Sequence, residues 1–140
     1  MPCVGHYMTY TAKQLRDYYK SESNNSQNGN KNICALRVAQ ALNVADKVRY
    51  LHTIQDLCRA ARHIYSVRSR LSAIGGKGTT VGSARKKLAK VSAQSDERIY
   101  GYIIRVAGHV ILCSPEGKTW VDTDPRLRDR RGITHCYALL

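Results

Sequence analysis

The chain predicts an α+β fold with helices packed on one side of an antiparallel sheet. Two observations carry this: helical periodicity through residues 32–92, and a change to short β-type runs from residue 98 onward. At 140 residues with 43% hydrophobic content, the length suits a single domain with a real core. The organisation expected is an N-terminal segment and polar loop over 1–31, a helical part over 32–92, and a sheet over 98–140.

SESNNSQNGNK, 21–31, is small and polar and reads as a loop. NICALRVAQAL, 32–42, follows, with Asn32 as the expected N-cap and Ile33, Leu36, Ala39 and Leu42 spaced for one buried face. Cys34 then falls at the second residue of the helix. A second helical pattern runs over 46–72 through Leu51, Ile54, Leu57, Cys58 and Ala61. AIGGKGTTVG, 73–82, is a glycine-rich turn segment without the spacing of a phosphate loop, and SARKKLAKV is a short basic helix with Ser83 as a possible cap. RIYGYIIRVA, HVILC, KTWVDT and ITHCYALL read as four strands, the second and third joined by SPEGK.

The net charge of +13, from 23 Lys and Arg against 10 Asp and Glu, predicts an acidic partner surface. No RNP, helix-turn-helix or zinc-finger signature accompanies it, so a nucleic-acid partner is not expected. MPCVGHYMTYTAKQLRDYYK has neither a basic region followed by an apolar stretch nor a membrane anchor. Neither Sec export nor membrane insertion is therefore expected. Nine Tyr and no Phe read as half-exposed packing. The five cysteines, Cys3, Cys34, Cys58, Cys113 and Cys136, form no C-x-x-C and no close Cys/His cluster, so neither a metal nor a cofactor is expected. Setting Cys34 aside, the other four read either as two bridges or as buried thiols, with Cys113 and Cys136 on neighbouring strands as a candidate pair.

A lone cysteine on a helix is usually a small buried residue. At a helix N-terminus, however, amide donors and the macrodipole favour a nucleophilic sulfur, provided that a base and a group orienting the base are at hand. His109, in RVAGHVILC, opens a strand beside glycine and by alternation shares a face with Ile111 and Cys113. His135 is a possible substitute base. WVDTD follows on the strand expected to pair with that of His109, with Asp122 best placed by register to orient the ring and Asp124 as the fallback. Both carboxylates also suit a turn before Pro125. The oxyanion donors would be the Cys34 backbone N–H and one of Gln27, Asn28, Asn30 or Asn32. RLRDRR, 126–131, reads as a solvated surface run or as an attractor of substrate carboxylates.

NICALRVAQAL, then GHVIL, then KTWVDTD, together spanning about residues 30–124, resemble the NlpC-type papain-like superfamily of cell-wall peptidases. Small size, basic charge and the stretches VRSRL and VDTDPRLRDRR make the chain similar to the second family of type VI secretion amidase effectors. The resemblance implies a papain-like fold and hydrolysis of the peptidoglycan cross-link between D-alanine and meso-diaminopimelate. It implies Cys34 as nucleophile, His109 as base and Asp122 in the third position, where other branches carry His, Asn or Gln. It further implies a monomer made in the cytoplasm, delivered by type VI secretion to a rival's periplasm, and paired with a cognate immunity protein. The alternatives are a non-catalytic basic nucleic-acid-binding module and a papain-like deamidase.

Overall fold

The computed structural model describes residues 31–48, 51, 53–126 and 128–140. Among the described residues, three α-helices, α1 (Lys31–Ala41), α2 (Ile54–Ala61) and α3 (Val81–Gln94), accompany five strands: β1 (Val67–Ser69), β2 (Gly101–Val106), β3 (His109–Cys113), β4 (Thr119–Val121) and β5 (Ile133–Leu139). Every strand pair is antiparallel and the order is β1-β5-β2-β3-β4. The fold is α+β with an open sheet.

Helix α1 starts one residue before the expected cap, so Asn32 lies inside it and Cys34 is its fourth residue, still in the first turn. Cys34, Ala35, Leu36, Val38, Ala39 and Leu42 are buried, as the apolar spacing requires. The helix stops in a Schellman motif. Asn43 takes a left-handed φ of 60°, while the amides of Asn43 and Val44 donate to the carbonyls of Gln40 and Ala39.

Helix α2 is much shorter than the 46–72 pattern. Thr53 opens it with a capping box: its hydroxyl accepts from the Asp56 amide at 3.1 Å and its own amide donates to the Asp56 carboxylate at 3.2 Å. After Ala61 the side chains of Arg62, His63 and Ile64 are exposed, leaving no apolar face to continue a helix. The chain turns extended instead and Val67–Ser69 pairs with the end of β5, Val67 opposite Leu139. Three residues are too few for period-two alternation to be seen in the sequence. Likewise Thr80, not Ser83, caps α3, with its hydroxyl accepting from the Ser83 amide at 3.2 Å.

The helices do not lie on one side of the sheet. Ile103, Val110, Leu112 and Leu139 pack with α1 and α2, whereas Tyr102, Ile104, Val106, Ile111, Cys113, Cys136 and Ala138 pack with Val81, Ala84 and Leu88 of α3. The reason is visible in the residues: HVILC is apolar without alternation, and such a strand needs cover on both faces. Each fully buried Leu or Ile on either face contributes about 1.5–3 kcal/mol. Tyr102 belongs to this core rather than to a half-exposed layer. Its hydroxyl donates to Ser92 Oγ at 2.7 Å, and Ser92 in turn donates to the Pro115 carbonyl at 2.7 Å.

Candidate active site

β2 and β3 are joined by the two-residue turn Ala107–Gly108, where Gly108 supplies a φ of 69°. The turn delivers His109 to the first position of β3, at the end of the sheet. β4 pairs with β3, so the residue following β4, Asp122, returns to that end. His109 Nε2 and Asp122 Oδ1 are 2.6 Å apart. The two side chains are only 6% and 2% exposed, so water does little to screen them.

Asp122 is itself held. The Asp124 backbone amide donates to Asp122 Oδ1 at 3.0 Å, an Asx turn that the sequence D-T-D-P encodes before Pro125. The connection from β4 to β5 is pinned to the start of α3: the Val81 amide donates to the Arg131 carbonyl at 2.8 Å, and Arg85 pairs with Asp129 at 3.1 Å. Asp124 does not orient the ring; its carboxylate pairs with Arg126 at 3.0 Å. RLRDRR is thus partly tied into ion pairs.

His109 also hydrogen-bonds Cys34, so helix α1, which packs on β3 and β4, brings the thiol to the ring. With Nε2 committed to Asp122, Nδ1 is the nitrogen left for the sulfur. A carboxylate accepts the Nε2 proton, so the neutral ring carries its lone pair on Nδ1, the acceptor a thiol requires. Burial pushes the His109 pKa down, but the hydrogen bonds to Asp122 and Cys34 and their charges outweigh it and lift it from 6.5 to about 9.

The structure therefore brings Cys34, His109 and Asp122 together. One detail differs: Ile111 and Cys113 lie beneath α3, whereas His109 bonds a residue of the α1 side. At the first position after the turn, the ring sits at the sheet's end and is not confined to the face that alternation assigns. His135 does not substitute for His109; its ring stacks on Tyr137 and its Nδ1 lies 3.0 Å from Thr134 Oγ1.

Cys113 and Cys136 are not on neighbouring strands, because β2 lies between β3 and β5. Two strand spacings of about 4.8 Å exceed the Cα separation a disulfide spans. Among the described residues, none of Cys34, Cys58, Cys113 and Cys136 forms a disulfide. Burial, with Cys113 nearby, pushes the Cys136 thiol up to about 12. Among the described residues, no three His, Cys, Asp or Glu side chains gather as metal ligands. Cys3, Gln27, Asn28 and Asn30 lie outside the described residues, as does the side chain of Asn32. The Asp124 amide is the contributor that sequence reading missed, although the D-T-D-P turn signalled it.

Compared with known protein families, curated proteins and solved structures, the chain matches none.

Proposed function

We propose that the chain is a papain-like cysteine amidase that hydrolyses peptide cross-links of peptidoglycan, between D-alanine and meso-diaminopimelate. The observation that carries the chemistry is one buried histidine bonded on one side to Asp122 and on the other to Cys34. With a pKa of about 9, His109 already holds the proton taken from the thiol on Nδ1 at neutral pH; the Cys34 sulfur attacks the amide carbonyl, and the imidazolium gives that proton to the leaving amine. Water then hydrolyses the acyl-enzyme, with His109 accepting its proton. Asp122 keeps the ring in the working tautomer and stabilises the imidazolium.

The choice of wall peptides rests on the resemblance of NICALRVAQAL, GHVIL and KTWVDTD to the NlpC-type superfamily. The same resemblance supports delivery by type VI secretion into a rival's periplasm and a cognate immunity protein in the producer. The test is incubation of wild type and Cys34→Ala with Gram-negative sacculi, the released muropeptides being identified by mass. Loss of cross-linked dimers with wild type only is the expected result. Dimers that persist with both proteins, or disappear with both, refute the proposal.

A further inference from the structure

Arg105, His135 and Tyr137 form a half-buried group that the Cys34 centre does not use. By register, Arg105 lies opposite His135 on one side and opposite Val110, the neighbour of His109, on the other. The strand ladder slips between Arg105 and Val106, which leaves Thr134 as an extra residue on β5. Bulges of this kind re-aim side chains and occur beside active sites. Here the Thr134 hydroxyl donates to the Arg105 carbonyl at 3.2 Å and so accepts from Nδ1–H of His135 at 3.0 Å. In the neutral ring the lone pair is then on Nε2, which makes no hydrogen bond among the described residues. The ring stacks on Tyr137 with centroids 5.8 Å apart and planes at 17°.

The charge around this stack is one-sided. Burial, then Arg105 and Lys77, push the His135 pKa down; burial and Cys58 push that of Tyr137 up, with Arg105 and Arg62 opposing them. No carboxylate is among the groups acting on either ring, and Arg62, Lys77 and Arg105 have no ion-pair partner among the described residues. Gathered cations repel one another and attract an anion that neutralises them. A guanidinium fork and a stacked His–Tyr platform suit a planar carboxylate and the chain that carries it.

We propose that Arg105, with His135 and Tyr137, forms a subsite for a carboxylate of the peptide on which Cys34 acts. The inference rests on reading the Cys34 centre as a peptide amidase. Arg105 points from the same sheet face against which α1 packs, one ladder position from His109. Peptide residues span roughly 3.3–3.6 Å each. An acid a few residues from the scissile amide therefore reaches the fork.

The test uses the full chain carrying Cys34→Ala, with a soluble wall tetrapeptide and the same peptide converted to its amides. Calorimetry should show the acid form bound about ten-fold more tightly than the amide form, the scale of a charge-assisted hydrogen bond. Arg105→Gln should erase that difference. Arg62→Gln, at an exposed position, should reduce it and guards against misfolding of the first variant. By NMR, the acid form alone should raise the His135 pKa. Equal affinity for the two peptides, or undiminished discrimination in Arg105→Gln, overturns the proposal. A single-stranded oligonucleotide that raises the His135 pKa while the peptide does not overturns it in favour of nucleic acid. Because binding is read without the thiol, intact sacculi after wild-type treatment would refute the amidase reading alone. Hydrolysis without discrimination would refute the subsite alone.

Discussion

Asp122→Asn keeps the shape of the side chain and removes the charge that His109 faces at 2.6 Å. In the wild type the ring's proton affinity rises from 6.5 to about 9, which corresponds to about 3 kcal/mol of proton-linked stability. The folded pKa lies above the unfolded one, so this stability is fully present below pH 6.5 and is lost as pH rises through about 9. Between those values the native state holds a proton that the unfolded state has released, and the slope of unfolding free energy with pH is negative. In Asp122→Asn burial still lowers the pKa while Cys34 still raises it. The ring should therefore titrate well below 9, and the slope contributed by His109 should move to lower pH and shrink. The assay is a pH titration of the His109 ring by NMR, alongside urea unfolding from pH 6 to 10, with His109→Gln subtracting the other groups. Amidase activity should fall by roughly 10²–10⁴-fold, the range spanned by positioned acid–base catalysis. A wild-type ring titrating near 6.5, or one unmoved by Asp122→Asn, would show that the carboxylate does not govern the base.

Asp124→Asn should change sacculus hydrolysis by less than about three-fold, since its backbone amide survives and exposed ion pairs contribute little. A loss matching that of Asp122→Asn would transfer the orienting role. Gly117 has a φ of 85°, and a Cβ there would lie 2.2 Å from the Arg85 carbonyl oxygen. Gly117→Ala should cost about 3 kcal/mol in urea unfolding, from left-handed strain plus the displaced turn, and unchanged stability would deny that the β3–β4 turn is clamped to α3. The buried thiols of Cys113 and Cys136 should resist alkylation at pH 8 in the native state and stay unbridged in oxidant. A peptide map containing a Cys113–Cys136 bridge would contradict the strand order.

The sequence by itself determined whatever depends on local periodicity and turn chemistry. The apolar stripe of α1 placed Cys34 in a first helical turn, SPEGK set β3 against β4, and that pairing selected Asp122 over Asp124. Neither the length of α2 nor the start of β1 was legible, because Arg62 to Ser69 carry no periodicity strong enough to separate a helix end from a three-residue strand. Only the tertiary structure decided that α3 covers the opposite face of the sheet. A continuous apolar strand announces two buried faces without saying which helix covers each. The tertiary structure also separated Cys113 from Cys136, since strand order is set by chain crossings that leave no local mark. The meeting of Cys34 with His109 is of the same kind: two remote segments share one end of the sheet because helix packing and hairpin register place them there.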